Sequence, residues 1–325
     1  MKPIIRTSIA ATAALTFLSA CGGDGGAGGA EGEGGEFTPR GDVTMLVPFA
    51  AGGGSDLAGR ATAGALEAAN SDLNINVENR DGGSGAVGYA KFLGESGNPE
   101  YLLATETALL ALPLSGNVDW TYEDFTPIMK IADDFTLMVA RADAPYETCM
   151  DVVDAAKGER IVAGISGSTG LDNVVFTLTE KETGAKFDRV SFESGGELTA
   201  ALLGEQIDVA SLNPGEVIGQ LESEDIKPLC AYSEERYDYD ELKDIPTASE
   251  QGIEVSFAQF RGVLAPGGLS DSERDYWVEQ MEAAVETEEY QTYIEDNFLQ
   301  PNTAAGDDFS AYLEENNTKL QEVIG

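Results

Sequence analysis

In Val43-Thr44-Met45-Leu46-Val47-Pro48-Phe49-Ala50-Ala51-Gly52-Gly53-Gly54-Ser55-Asp56, a five-residue apolar run stops at a proline and gives way to a glycine-rich turn. The run reads as a short buried strand. After the turn, Leu57, Ala61, Ala65 and Ala69 recur every fourth residue, which predicts a helix over 56–70. The same alternation continues outward, with strands expected at 73–77 and 101–104 and a helix at 86–93. This βαβαβ order predicts a parallel sheet with helical crossovers. The pattern then restarts. Strands are expected at 135–140, 160–165, 189–192, 207–212, 226–231 and 259–264, and helices at 173–182, 196–203 and 214–221. Trp277, Met281 and Val285, then Phe309, Leu313 and Leu320, form apolar stripes read as core faces of terminal helices. The expected fold class is therefore α/β, in two lobes, with the helical tail returning to cover the first.

Composition removes several functions. The chain has 325 residues, 58 acidic against 19 basic, for a net charge of -39. Nucleic acid and anionic membrane surfaces need Lys and Arg to neutralise phosphate, so neither is an expected partner. The sequence holds no histidine, which removes Ser-His and Cys-His catalysis and the usual general acid near pH 7. The acids are spread along helix faces such as Glu279, Glu282, Glu286, Glu288 and Glu289. With few lysines, this resembles a surface adapted to high salt, where screening removes self-repulsion; the other reading is a partner-binding acidic face.

Residues 1–21 read as an export signal. Lys2 and Arg6 precede an apolar stretch over 7–17 that is too short to span a bilayer. Leu18-Ser19-Ala20-Cys21 resembles the lipobox of bacterial lipoproteins, which implies lipidation of Cys21; the plainer reading is an ordinary signal with a chance cysteine. The segment 22–41, opening Gly22-Gly23-Asp24-Gly25-Gly26, reads as a flexible tether. The expected location is extracytoplasmic, lipid-anchored to the cell membrane at the surface or in the periplasm.

Three strand-to-helix junctions carry small residues: 48–56, Thr105-Glu106-Thr107-Ala108 and Ser166-Gly167-Ser168-Thr169-Gly170. In open α/β sheets ligands bind outside the carboxyl ends of strands, where loop N–H groups meet helix N-termini. Such junctions accept an anion without Lys or Arg, and none of the three contains either. One glycine-serine turn has an ordinary reading as a connector, whereas three at equivalent places point to one shared ligand. Gly83-Ser84-Gly85-Ala86-Val87-Gly88 matches G-x-G-x-x-G but follows the second strand, so no dinucleotide is expected. Asp238, Asp240, Glu241 and Asp244 lack the glycine that a calcium loop needs. No cofactor or metal is expected.

Taken together, Val47-Pro48-Phe49, Gly52-Gly53-Gly54-Ser55-Asp56 and Arg60 resemble the first loop of the tripartite tricarboxylate transporter substrate-binding proteins, the Bug or TctC type. Val77-Glu78-Asn79-Arg80-Asp81-Gly82-Gly83-Ser84-Gly85 resembles their "VENRPGGSG" segment, with Asp81 in place of proline. Further matches follow in order: Asp124 to Ile128, Leu202 to Asp208, Ile245-Pro246-Thr247, and Arg261-Gly262-Val263-Leu264-Ala265-Pro266. The resemblance spans about residues 42–325. It implies a two-lobed periplasmic-binding-protein-like fold of type II, a Venus flytrap with lobe 1 at 42–130 and 255–325 and lobe 2 at 131–254. It also implies a monomeric receptor, not an enzyme, that takes a small carboxylate and passes it to large and small membrane permease subunits.

The ligand site implied by this resemblance comprises Phe49, Gly52, Gly53, Gly54, Ser55 and Asp56, with Thr105, Glu106, Thr107 and Ala108 beside them. From the second lobe come Ser166, Gly167, Ser168, Thr169 and the Asn213 amide. Glu106 places an acid in an anion pocket, which sits poorly with a simple tricarboxylate unless it meets a cationic part of the ligand. The other readings are a sensor feeding a signalling partner and an exported α/β enzyme; the latter lacks a G-x-S-x-G elbow and any histidine. With Cys21 taken by lipid, Cys149 and Cys230 remain in an oxidising compartment, as a disulfide in lobe 2 or as two buried thiols.

Overall fold

The computed structural model describes residues 37–166, 170–192 and 195–324. The expected leader at 1–21 with Cys21, the part of the expected 22–41 tether up to residue 36, and Gly167, Ser168 and Thr169 lie outside the described residues. In chain order the strands are β1 Val43–Val47, β2 Ile75–Asn79, β3 Tyr101–Thr105, β4 Phe125–Asp134, β5 Leu137–Arg141, β6 Val162–Ile165, β7 Asp188–Ser191, β8 Val209–Leu212, β9 Ile226–Ala231, β10 Gln259–Pro266 and β11 Gln300–Ala305. The α-helices are α1 Gly54–Ala69, α2 Ala86–Leu93, α3 Ala108–Leu114, α4 Cys149–Ala156, α5 Leu171–Thr183, α6 Gly195–Leu203, α7 Pro214–Glu222, α8 Asp271–Ala284, α9 Glu288–Asp296 and α10 Gly306–Ile324.

Two sheets result, six strands in the order β11-β4-β10-β3-β1-β2 and five in the order β7-β6-β8-β5-β9. The fold is α/β and two-lobed. The parallel arrangement expected from the βαβ order holds for β1 with β2 and β3, and for β6 with β7 and β8. It fails elsewhere: β10 runs antiparallel to β3 and β4, β11 to β4, and β5 to both β8 and β9. Only a helical crossover within one sheet forces parallel pairing, and β10 arrives from the other sheet without one.

The chain passes between sheets twice at adjacent points. β4 ends at Asp134 and β5 begins at Leu137 in the other sheet; on return, Gln259 opens β10 in register with Asp134. Neither β4 nor β11 shows in the sequence pattern. Pro127, Lys130, Asp133 and Asp134 disguise β4, yet all except Pro127 are buried. Their charges are met in the tertiary structure. Lys130 Nζ lies 2.7 Å from Asp133 Oδ1 and 4.5 Å from the Tyr312 ring centroid, and Asn302 Nδ2 donates to Asp133 at 2.6 Å.

Trp277, Met281, Phe309, Leu313 and Leu320 are fully buried, as core stripes should be, whereas Val285 is only half-buried. Burying each such side chain is worth roughly 1.5–3 kcal/mol in area bookkeeping. α8 and α9 pack on α1, whereas α10 packs on α3 and β4 and also reaches α5 of the second sheet. There Lys181 Nζ donates to the Glu322 carbonyl at 2.5 Å. Cys149, opening α4, and Cys230, in β9, are joined by a disulfide with Cα atoms 5.7 Å apart, both fully buried. Among the described residues no helix is long and apolar enough to cross a membrane.

Candidate functional site

A cleft of about 660 Å³ opens between the two sheets, within the size range of small-molecule sites. Its wall loops leave the C-terminal ends of β1, β2 and β3 on one side and of β6, β7 and β8 on the other, where open α/β sheets hold ligands. The structure brings Phe49, Gly52, Gly53, Gly54, Ser55, Glu106, Ala108, Ser166 and Asn213 to this one cleft. Asp56, Thr105 and Thr107, expected at the site, do not line it.

Asp56 and Thr105 have structural tasks, whereas the buried Thr107 Oγ1 has no hydrogen-bond partner among the described residues. Asp56, buried in the first turn of α1, accepts the Gly52 N–H at 2.8 Å, Arg60 Nε at 3.0 Å and Asn79 Nδ2 at 2.9 Å. Asn79 Nδ2 also donates to the Phe49 carbonyl at 3.1 Å, so this pair laces the first glycine loop onto β2. Burial disfavours the Asp56 charge, but Arg60, the Gly52 N–H and Asn79 together hold its pKa below the ordinary value. Thr105 Oγ1 is spent on the Tyr89 hydroxyl at 2.9 Å inside the core, and Thr107 is buried at the start of α3.

The helix starts differ in what they leave free. No side chain caps Gly53 at the start of α1, so its first N–H groups are available to an anion. The second junction is filled from within. Glu106 is buried, its Oε2 accepts Gln259 Nε2 at 2.7 Å, and the N–H groups of Ala108 and Thr107 favour its charge. At the third, Asp172 accepts Ser166 Oγ at 2.8 Å, the Asn173 N–H at 2.8 Å and the Ser166 N–H. Burial raises the pKa of both carboxyls above the ordinary value; the Arg261 charge and then the hydrogen bonds limit the rise at Glu106, and the hydrogen bonds limit it at Asp172. Asn213 Nδ2 is likewise engaged, at 2.5 Å from Asp134 Oδ1.

The expectation of a pocket without basic residues is corrected by Arg261. It stands in β10, lines the cleft, is buried, and donates through Nη2 to Asp134 Oδ2 at 2.6 Å and through Nη1 to Ser55 Oγ at 3.3 Å. Burial opposes its charge, but Asp134, with Tyr293 and Glu106, more than offsets that and the guanidinium pKa is raised. Asp134 itself is pushed up by burial, with Arg261 and Asn213 limiting the rise. An arginine inside an apolar strand was the available signal, because a buried charge requires a partner.

Two further groups were missed. Asp81, Gly82, Gly83, Ser84 and Gly85 line the cleft beside the first loop. Gly83 and Gly85 there take φ of +60° and +97°, and a Cβ on Gly88 would lie 2.5 Å from Pro48 Cα. The G-x-G-x-x-G pattern thus serves a left-handed turn and a close contact between loops. The second group, Asp172, Ser191, Phe192, Glu216 and Gln259, comes from scattered points of the chain, with no local signature.

Paired loops from two α/β lobes around one small-molecule cleft are the architecture of a solute-binding receptor. The chain belongs to the TctC family, the tripartite tricarboxylate transporter family receptors, whose model matches residues 66–325. It is 25% identical over 233 residues to the UPF0065 protein in the TAR-I ttuE-ttuC' intergenic region of Agrobacterium vitis, covering 70% of this chain. That match spans 66% of the relative's own length, just under two thirds. The crystal structure of a TctC solute binding protein from Polaromonas aligns with a TM-score of 0.74 at 26% identity, over 89% of this chain and 99% of that one. MatC from Rhodopseudomonas palustris, solved with bound malate, aligns with a TM-score of 0.77 at 18% identity, over 89% and 100% respectively, a likeness of fold.

Proposed function

We propose that this protein is the extracytoplasmic receptor of a tripartite tricarboxylate-type transporter, held to the membrane by a lipid on Cys21. It captures a small carboxylate-bearing solute between lobe 1 (42–130 and 255–325) and lobe 2 (131–254) and delivers it to large and small permease subunits. The observation carrying this reading is the cleft itself, walled by both sheets, with the uncapped start of α1 opening into it. The carboxylate seats on the N–H groups of Gly53, Gly54 and Ser55, where absent side chains permit close approach. The two chain passages meet at Asp134 and Gln259, a compact hinge about which ligand closes the lobes.

A thermal-shift screen of the purified protein against small organic acids, malate included, tests the reading. A true ligand at about 100 times its Kd adds ~2.7 kcal/mol of stability. Small-angle scattering with that ligand should show compaction. Melting points moved by neutral solutes but by no acid would reject the carboxylate reading, and identical scattering profiles at saturation would reject hinge closure.

A further inference from the structure

The corner between α9 and β11 carries a residue unsuited to its backbone. α9 ends in a Schellman turn, in which the Phe298 N–H donates to the Glu295 carbonyl at 3.2 Å and the Leu299 N–H to the Ile294 carbonyl at 3.0 Å. The residue closing such a turn is left-handed and usually glycine, because a Cβ there crowds the backbone. Phe298 holds that position with a φ of +55°, an outlier for so bulky a side chain. Strain of this kind persists only where the surroundings over-determine it.

Those surroundings belong to the other sheet. The Phe298 ring packs against the core cluster of the second sheet, beside Phe135 and Tyr237, and meets the Tyr239 ring edge-on with centroids 5.2 Å apart. Tyr239 lies beyond the end of β9, and its hydroxyl donates to the Leu299 carbonyl at 2.6 Å. Gly215 of α7 closes the contact, since a Cβ there would lie 3.4 Å from Asn297 Cα. Two residues further on, Gln300 pairs with Asp133 at the edge of the chain passage. Neither Phe298 nor Tyr239 lines the cleft. A corner that only joined α9 to β11 would need no aromatic ring and would be relaxed by glycine.

Resting on the reading of this protein as a receptor that closes about the chain passages, we propose that Phe298 and Tyr239 form a clasp between its two halves. The clasp biases the hinge toward the narrow-cleft arrangement before ligand arrives. It therefore sets affinity from a place the ligand does not touch, because apparent affinity scales with the competent fraction. Both are positioning residues.

The test is pulsed electron paramagnetic resonance on the oxidised, ligand-free protein, spin-labelled at Val87→Cys and Val190→Cys. These are exposed positions in α2 and β7, next to the loops that wall the cleft from either side. Phe298→Gly keeps the left-handed turn and removes the ring, while Tyr239→Phe keeps the ring and removes the bond to Leu299. Each should enlarge a longer-distance population by about threefold or more over the labelled parent. Phe298→Gly should do so with a melting point near the parent's, because glycine relaxes the turn. Distances unchanged in both variants would overturn the clasp, and a lowered melting point alongside them would make Phe298 a packing residue alone. Malate added to the parent reads closure separately. Distances that shorten with malate while the variants match the parent would overturn the clasp and leave the closing receptor standing. Variants that lengthen the distance, with neither malate nor the wider acid screen shortening it, would support the clasp and reject the carboxylate reading.

Discussion

Arg261 Nη2 and Asp134 Oδ2 lie 2.6 Å apart, both buried, at the place where the chain leaves one sheet and re-enters it. Asp134 ends β4 and also accepts Asn213 from the second sheet, while Arg261 reaches Ser55 in the first glycine loop. One ion pair thus connects the two passages between the sheets, the second-sheet wall and the first glycine loop.

Removing either partner strands the other in a dry site. Asp134→Asn or Arg261→Met should each cost about 3–5 kcal/mol, measured by urea unfolding. The double variant should recover a large part of that, since neither charge is then left alone. Losses below about 1 kcal/mol for both single variants would show the pair to be solvated.

Gly53 and Gly54 are expected to separate binding from packing. A Cβ on Gly53 meets only the Ala50 carbonyl, at 3.7 Å, and its φ of -87° suits any residue. Gly53→Val should therefore leave the melting point near wild type and weaken ligand binding by roughly tenfold or more. A Cβ on Gly54 would sit 2.8 Å from Arg261 Nη2, so Gly54→Ala should disturb the ion pair and lower stability as well. Wild-type affinity in Gly53→Val would remove this loop from the site.

The Cys149–Cys230 bridge closes a sequence separation of 81. The chain-entropy model gives about 4 kcal/mol for such a loop. Alkylating the unfolded, unreduced protein from its native compartment should add no label at these two positions and show a mass two hydrogens short. Reduction should lower the unfolding midpoint, and two labelled thiols would exclude the bridge.

Acid should first stabilise and then destabilise the fold. The pKa values of Glu106 and Asp172 are raised by burial; their contribution is complete below the unfolded values and lost as pH rises through the raised ones. Asp56 is lowered from 3.8, so its contribution is present above that value and lost as pH falls through the lowered one. The melting temperature at fixed ionic strength should rise as pH falls from the alkaline side toward the ordinary carboxylate range, then fall below about pH 4. A maximum at pH 8 would contradict the burial of these carboxyls.

With a net charge of -39, salt should matter unusually. The screening length falls from about 10 Å at 0.1 M to about 3 Å at 1 M, which weakens self-repulsion. The melting temperature should climb through this range in sodium chloride. A flat response would leave the acidic surface without that role.

What residues 43–56 determined by themselves was local: a buried strand, a glycine turn and a helix, each set by neighbours a few positions away. The α/β class, the end of β1 and the apolar stripes of α8 and α10 follow from the same short-range periodicity. Strand direction did not, because β10 reaches its sheet from another lobe and nothing local records that return. Nor did β4, whose Lys130, Asp133 and Asp134 break the apolar pattern and are met only by Tyr312, Asn302 and Arg261 from over a hundred residues away. The glycine loops were legible as turns at strand ends because backbone geometry needs no partner. That Glu106 and Asp172 would fill two of those helix starts, and that Glu216 and Arg261 would share the cleft with them, was decided only by tertiary structure. A carboxylate's role depends on what surrounds it, and here those surroundings come from remote parts of the chain.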